Sequence, residues 1–227
     1  PEYLVGDMWA QHSAGWSVFD IFTSPYVPET GFFTNYAITT REGEVLWPAE
    51  HSTQWIGDRA AARMAATDPS KPIFALLSLV DTHLPNIALP QFAYDTRCDA
   101  MPPWNPPNYN EADVSDKPPW MQDQALFPFP DGWPMAAMCR EMLGVDWLVG
   151  RVTEELRAEG RLDNTLFVFT ADNGMAWGAH RLQLKETPYT TPVPLYMSWP
   201  SRWGSAPRTI TEHTSNIDLA PTFCAVA

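Results

Sequence analysis

No stretch of this 227-residue chain is apolar for long enough to cross a membrane as a helix, so the helical membrane-spanning classes are set aside. Positive charge is scarce: 14 Lys and Arg face 27 Asp and Glu. The resulting formal charge of −13 excludes a surface built for nucleic acid or heparin-like polymers, which it would repel at long range. A small anionic ester is still compatible with it. Cysteine is scarce as well. Cys98, Cys139 and Cys224 are an odd set without metal-ligand spacing, which argues against a disulfide framework and for buried thiols. The absence of an Asn-x-Ser/Thr acceptor argues against a glycosylated lysosomal protein.

What the chain does contain fits an α/β domain: 45% of its residues are hydrophobic and 18% charged. It is rich in proline and tryptophan, with 23 and 11 respectively. Residues 98–134 read as a long Pro/Trp-rich loop insertion. Its Trp104, Tyr109, Trp120, Phe127, Phe129 and Trp133 gain most by packing on a surface, so this belt is expected to be an ordered rim of a functional site.

Apolar periodicity predicts a helix over residues 52–66, with Trp55, Ala62 and Ala66 near helical spacing. A second helix is predicted over 135–159, with Met138, Met142, Val145, Leu148, Val152 and Leu156 at steps of three or four and Gly160 as its stop signal. Buried strands are predicted over 71–79, 166–169 and 194–199. The alternation of helix and strand implies a mostly parallel sheet flanked by helices.

The strand ending in Phe167-Val-Phe-Thr-Ala-Asp172-Asn173-Gly174 carries the most chemistry. Ligand crevices in open α/β sheets lie beyond the carboxyl ends of the strands, where Asp172 and Asn173 would sit. Their hard oxygens suit Ca²⁺ or Mg²⁺; the alternative is an ordinary Asx turn.

Downstream of this strand end stand Gly178-Ala-His180-Arg181-Leu182, Lys185, Thr187-Pro-Tyr189, Val193-Pro-Leu195 and Asn216-Ile-Asp-Leu-Ala-Pro-Thr222. Upstream of it stand Val80-Asp-Thr-His83-Leu-Pro85, Pro107-Asn-Tyr-Asn-Glu-Ala-Asp113 and Gly144-Val-Asp146-Trp-Leu-Val-Gly-Arg151. In order and spacing this set resembles the sulfatase family of the alkaline phosphatase superfamily, including bacterial enzymes similar to arylsulfatases and N-acetylglucosamine-6-sulfatases. The resemblance implies that residues 1–227 are part of a sulfatase catalytic domain, an incomplete α/β fold of the alkaline phosphatase type. It implies a metal-dependent sulfuric ester hydrolase acting on a small sulfated substrate, an aryl sulfate or a sulfated sugar. Asp172 and Asn173 would be metal ligands, His83 and Lys185 catalytic groups, and Lys185 and His180 substrate-binding groups. His180 could instead organise its loop through hydrogen bonds.

The family's formylglycine nucleophile comes from a Cys/Ser-x-Pro-Ser-Arg sequence near paired aspartates, and is expected here in a segment upstream of Pro1. Ser198-Trp-Pro-Ser-Arg202 matches that sequence in letters but comes after Asp172 within a strand context, unlike the family's nucleophile. The family's Tyr-Glu-Glu-x-x-Arg-Val-Pro is replaced after Lys185 by Tyr189-Thr190-Thr191-Pro192, so its acid and arginine are gone. The same resemblance leaves two alternatives: a phosphoesterase of the superfamily, against which Asn173 argues, and a pseudoenzyme that binds sulfated glycans without cleaving them.

Overall fold

The computed structural model of the chain describes residues 15–23, 29–182, 185 and 190–227. A small antiparallel sheet comes first, with β1 (Ile21–Phe22), β2 (Ile38–Thr39) and β3 (Val45–Leu46) in that order. It leads into helix α1 (Ser52–Ala65), whose amino end is capped by His51: the imidazole Nδ1 accepts the Thr53 N–H at 3.3 Å. The buried face of α1 is Gly57, Ala60, Ala61 and Met64 rather than the expected Trp55, Ala62 and Ala66. Small side chains win that face because they admit the next helix. A Cβ on Gly57 would lie 3.1 Å from the Trp147 ring and 3.2 Å from Leu148.

The one-turn helix α2 (Pro119–Gln122) lies in the belt, and α3 (Ala136–Ala158) comes after it, close to the predicted span. Gly160 ends α3 in a left-handed turn (φ 66°), and the Arg161 N–H closes back on Leu156 O at 2.8 Å. Ala60 and Met64 of α1 pack against Leu148, Val152 and Leu156 of α3. Ile73, Leu77, Leu79 and Phe167 close the cluster from outside. On the same face Glu141 takes the place predicted for Met142. Glu141 is fully buried, whereas Met142 is 42% exposed.

Past α3, β4 (Phe167–Thr170) pairs antiparallel with β5 (Leu195–Ser198), setting Phe167 opposite Ser198 and Thr170 opposite Leu195. Helices α4 (Pro200–Trp203) and α5 (Leu219–Val226) complete the described chain. The α/β class is as expected, but strand pairing differs in detail. Among the described residues every paired strand is antiparallel, and residues 71–79 form no ladder. A strand is defined by its neighbours, and no described strand pairs with this segment.

The parallel direction nevertheless survives. Arg161, beyond the end of α3, donates to Lys71 O and Asp68 O, both at 2.9 Å. Asn86 donates to Glu141, near the start of α3, at 2.7 Å. Residues 71–86 therefore run back along α3. So does β4, whose Phe167 packs on the carboxyl-terminal half of α3 and whose Phe169 shares a groove with Met142. Both segments deliver their carboxyl ends to the same end of the molecule. Burial of β4 on both faces is not realised: β4 is half-buried throughout and β5 largely exposed. An open groove of about 330 Å³ separates them from α3, and Phe74 and Leu76 are 64% and 70% exposed.

The cysteines also differ from expectation. Cys98 and Cys139, 41 residues apart in sequence, form a disulfide that ties the start of the belt to the first turn of α3; Cys224 is an exposed thiol. Arg140 reinforces the junction through an ion pair with Asp99. Replacing both bridged cysteines with Ser is expected to lower the free energy of unfolding by about 2–4 kcal/mol, read by urea titration without reductant.

Burial gives a second prediction. Desolvation raises the Glu141 carboxyl from 4.5 to about 8. Between those values the folded chain holds a proton that the unfolded chain has released, so stability falls as pH rises from 4.5 to about 8 and levels above that. Glu141→Gln should remove this slope, checked by denaturant midpoints across the window.

Candidate active site

The end of β4 turns through Asp172 and Asn173. The Asp172 carboxylate is exposed and accepts the Asn173 N–H at 2.8 Å. Asn173 Nδ2 donates to Gly174 O at 2.8 Å, which fixes the amide with Oδ1 on its opposite side. Gly174 itself is dictated by a close crossing. A Cβ there would lie 2.8 Å from Pro192 O and 2.9 Å from Thr190 O.

That crossing carries Lys185. Buried Thr190 accepts the Gly174 N–H at 2.8 Å and donates from its hydroxyl to Lys185 O at 2.7 Å. One threonine thus links the Lys185 turn to the strand end. It stands where the family acid is missing, a tie that the sequence alone does not disclose. Thr187-Pro-Tyr189 lies outside the described residues.

His83 emerges at the same end, at the close of residues 71–86, and is exposed. Its Nδ1 lies 2.6 Å from Leu84 O. A carbonyl only accepts, so Nδ1 carries a proton and donates it to Leu84 O.

His180 sits in a different wall, between the loop after Gly174 and the belt. Its Nδ1–H donates to Glu111 Oε2 at 2.5 Å, and Asn108 Nδ2 donates to Nε2 at 3.3 Å. The bond from His180 is the main cause holding the Glu111 carboxyl below its usual range. Arg181 donates from Nε to Glu111 O at 2.8 Å and from Nη2 to Ala112 O at 2.7 Å. Both ring nitrogens of His180 therefore serve the belt. Asn108 and Glu111 belong to the 107–113 segment that carries part of the family resemblance, but nothing in one sequence pairs them with His180.

The belt is ordered by its aromatic residues. Trp104 and Trp133 exchange two backbone hydrogen bonds at 2.9 Å, and the Trp133 ring meets Phe127, Phe129 and Trp177 edge-on at 5.5–5.7 Å. The site loop it grips is held in an unfavourable shape: Trp177, His180 and Arg181 all have left-handed backbone, at φ 49°, 51° and 62°. Gly178 (φ 85°) completes the turn and lies flat on Tyr109, where a Cβ would come within 2.3 Å of the ring.

Asp172 and Asn173 fit part of a hard-cation shell. They offer a carboxylate and an amide oxygen at a solvent-facing strand end, whereas Ca²⁺ takes six to eight oxygens. Among the described residues no group of three or more His, Cys, Asp or Glu gathers to hold a metal ion. Ser198 stands opposite Phe167, at the far end of β4, roughly 15 Å from Asp172 by strand rise. Its likeness to a nucleophile sequence has no support from this placement.

Over 92% of its length the chain superposes on a protein solved in complex with its substrate D-glucosamine-2-N,6-O-disulfate. The TM-score is 0.70 at 17% identity, covering 55% of that protein. The fold is thus the α/β fold of the alkaline phosphatase type. The sulfatase family profile matches residues 14–227, and the chain belongs to that family. It is 29% identical to an arylsulfatase of Volvox carteri over 79% of the chain and 32% of the relative. It is also 29% identical to human N-sulphoglucosamine sulphohydrolase, over 86% of the chain and 39% of the relative. The chain spans about a third of the length of these curated relatives.

Gly178→Ala is expected to destabilise the protein by about 2 kcal/mol or more, through clash and unfavourable φ together. Adding Tyr109→Ala should return the part due to the clash, so the double variant should lose less than the sum of the singles. Urea unfolding of the four proteins checks this.

Proposed function

We propose that residues 1–227 are part of the catalytic domain of a sulfatase, and that the complete protein hydrolyses a sulfate monoester of an aryl alcohol or a sugar. The family match across residues 14–227 carries this reading. The open groove beside β4 and β5 and the exposed Phe74 and Leu76 support the view that further chain covers this face in the complete domain.

A Ca²⁺ or Mg²⁺ ion would be held in part by Asp172 and Asn173, and with a formylglycine on a segment outside this chain would supply Lewis acidity and the attacking oxygen. This chain's own residues then have distinct tasks. Lys185, tethered through Thr190 to the strand end, binds the sulfate and offsets charge that builds on the group being transferred. His83, with Nδ1–H committed to Leu84 O, holds or returns a proton at Nε2 as the S–O bond to the alcohol breaks. His180 serves substrate binding indirectly, by holding Glu111 and Asn108 and so the belt that forms the pocket rim. The belt's exposed Trp104 and Trp120 give the rim aromatic faces suited to an aryl ring or a sugar.

The complete protein is expected to hydrolyse 4-nitrophenyl sulfate faster than 4-nitrophenyl phosphate. Activity should be lost on chelation and restored by Ca²⁺ or Mg²⁺. Asp172→Ala should lower kcat/KM on the order of 100-fold. Residues 1–227 alone should show no turnover. Faster phosphate hydrolysis would identify a phosphoesterase instead, and binding of a sulfated sugar without turnover a pseudoenzyme.

A further inference from the structure

Glu141 is a carboxylic acid with no solvent exposure, placed on the apolar face of α3 between Met138 and Val145. A buried carboxyl is costly, and its position asks for a compensating role. Its contacts all lie in one direction, towards the loop that carries His83. Glu141 Oε2 accepts from Asn86 Nδ2 at 2.7 Å, and the Ile87 backbone N–H also bonds to the carboxyl. Asn86 donates a second, longer bond to Thr82 O at 3.4 Å, and its N–H closes on His83 O at 3.1 Å. Asn86 is held in a left-handed conformation at φ 62°.

The other flank of the loop is pinned to α1. Thr53, in the first turn of that helix, donates its hydroxyl to half-buried Asp81, and His51 Nε2–H donates to Ile87 O at 2.8 Å. The His83 N–H itself bonds to Val80 O at 2.9 Å. An exposed imidazole therefore stands on a loop whose anchors, two residues before it and three and four after, are half-buried and hydrogen-bonded to the amino ends of α1 and α3. Glu141 Oε1, Asp81 Oδ1 and Ser52 Oγ are buried around these anchors without a hydrogen-bond partner.

We infer that Glu141 is a positioning residue for His83, acting through Asn86 and the backbone of Ile87 without itself touching substrate. The catalytic part of this inference rests on the proposed sulfatase function; the positional part does not. The groups that face the Glu141 carboxyl are Asp81 and Asn86 from the loop, with His51 and Thr53 of α1 behind Asp81; Arg140 of α3 is turned to Asp95 O and Asp99. Burial raises both Glu141 and Asp81. Above about pH 8 Glu141 ionises next to Asp81, and the growing repulsion acts on the segment between them, which contains His83.

Two measurements test this. The first tracks the His83 ring signals by NMR from pH 6 to 9.5 in the protein and in Glu141→Gln and Glu141→Ala. Wild type should show an inflection near pH 8 that Glu141→Gln lacks. Glu141→Ala should shift or broaden the His83 signals at every pH. The second measures aryl sulfate turnover by the complete protein. Glu141→Ala should lower kcat about 10- to 100-fold with little change in KM, while Glu141→Gln, which keeps the acceptor for Asn86, retains most of kcat and loses the alkaline limb.

His83 signals that superimpose between Glu141→Ala and wild type while the melting temperature falls would overturn the inference and leave Glu141 a purely stabilising group. If wild-type complete protein cleaves no sulfate ester, the proposed function fails, and the NMR comparison alone decides the positional role.

Discussion

Everything in this chain hangs on the close approach of α1 and α3. Gly57, Ala60 and Ala61 bring α1 near enough for Leu148, Val152 and Leu156 to fill one shared layer. Residues 71–86 and β4 are laid along that pair, and it is the pair, not a complete sheet, that gives both segments their direction and brings His83 and Asp172 to one end. The two helices also do polar work. Their amino-terminal turns supply His51, Thr53 and Glu141, the side chains that grip the His83 loop.

A second unit is assembled by different physics. The belt has almost no regular structure, and its order comes from edge-on aromatic contacts around Trp133, from the disulfide at its base and from hydrogen bonds to the loop after Gly174. Strain is stored where belt and loop meet, at Trp177, His180 and Arg181. Such conformations persist only where surrounding contacts over-determine them. The Glu111 and Asn108 bonds to His180 and the three guanidinium bonds of Arg181 supply that excess.

Local patterns are legible in the sequence and tertiary partners are not. The extents of α1, α3, β4 and β5 come from periodicity and stop signals, and the Asp172-Asn173 strand end from an apolar run breaking into polar oxygens. The phase of α3 departs from the apolar reading in one place: 138, 141, 145, 148, 152 is also a helical stripe, but it requires a carboxylate in the core, which hydrophobicity alone would never choose. Residues 71–79 have strand composition without strand pairing, because pairing belongs to neighbours rather than to the segment. The Cys98–Cys139 bond is invisible for the same reason; cysteine count and spacing carry no information about which residues the fold places together. His180 stands out in the sequence, but that its ring faces Glu111 and Asn108 can be seen only once the belt has a place.

The contact between Gly178 and Tyr109 has a consequence for how this protein can change over generations. The ring fills the volume a side chain at 178 would need, so the two positions cannot drift independently. A lineage that gains a β-carbon at 178 must first shrink residue 109, and would pass through a belt that no longer seats on its loop. Rim residues such as Trp104 and Trp120, which face solvent, carry no such tie. The outward surface of the belt can therefore diversify while the crossing beneath it stays fixed as a hinge pin.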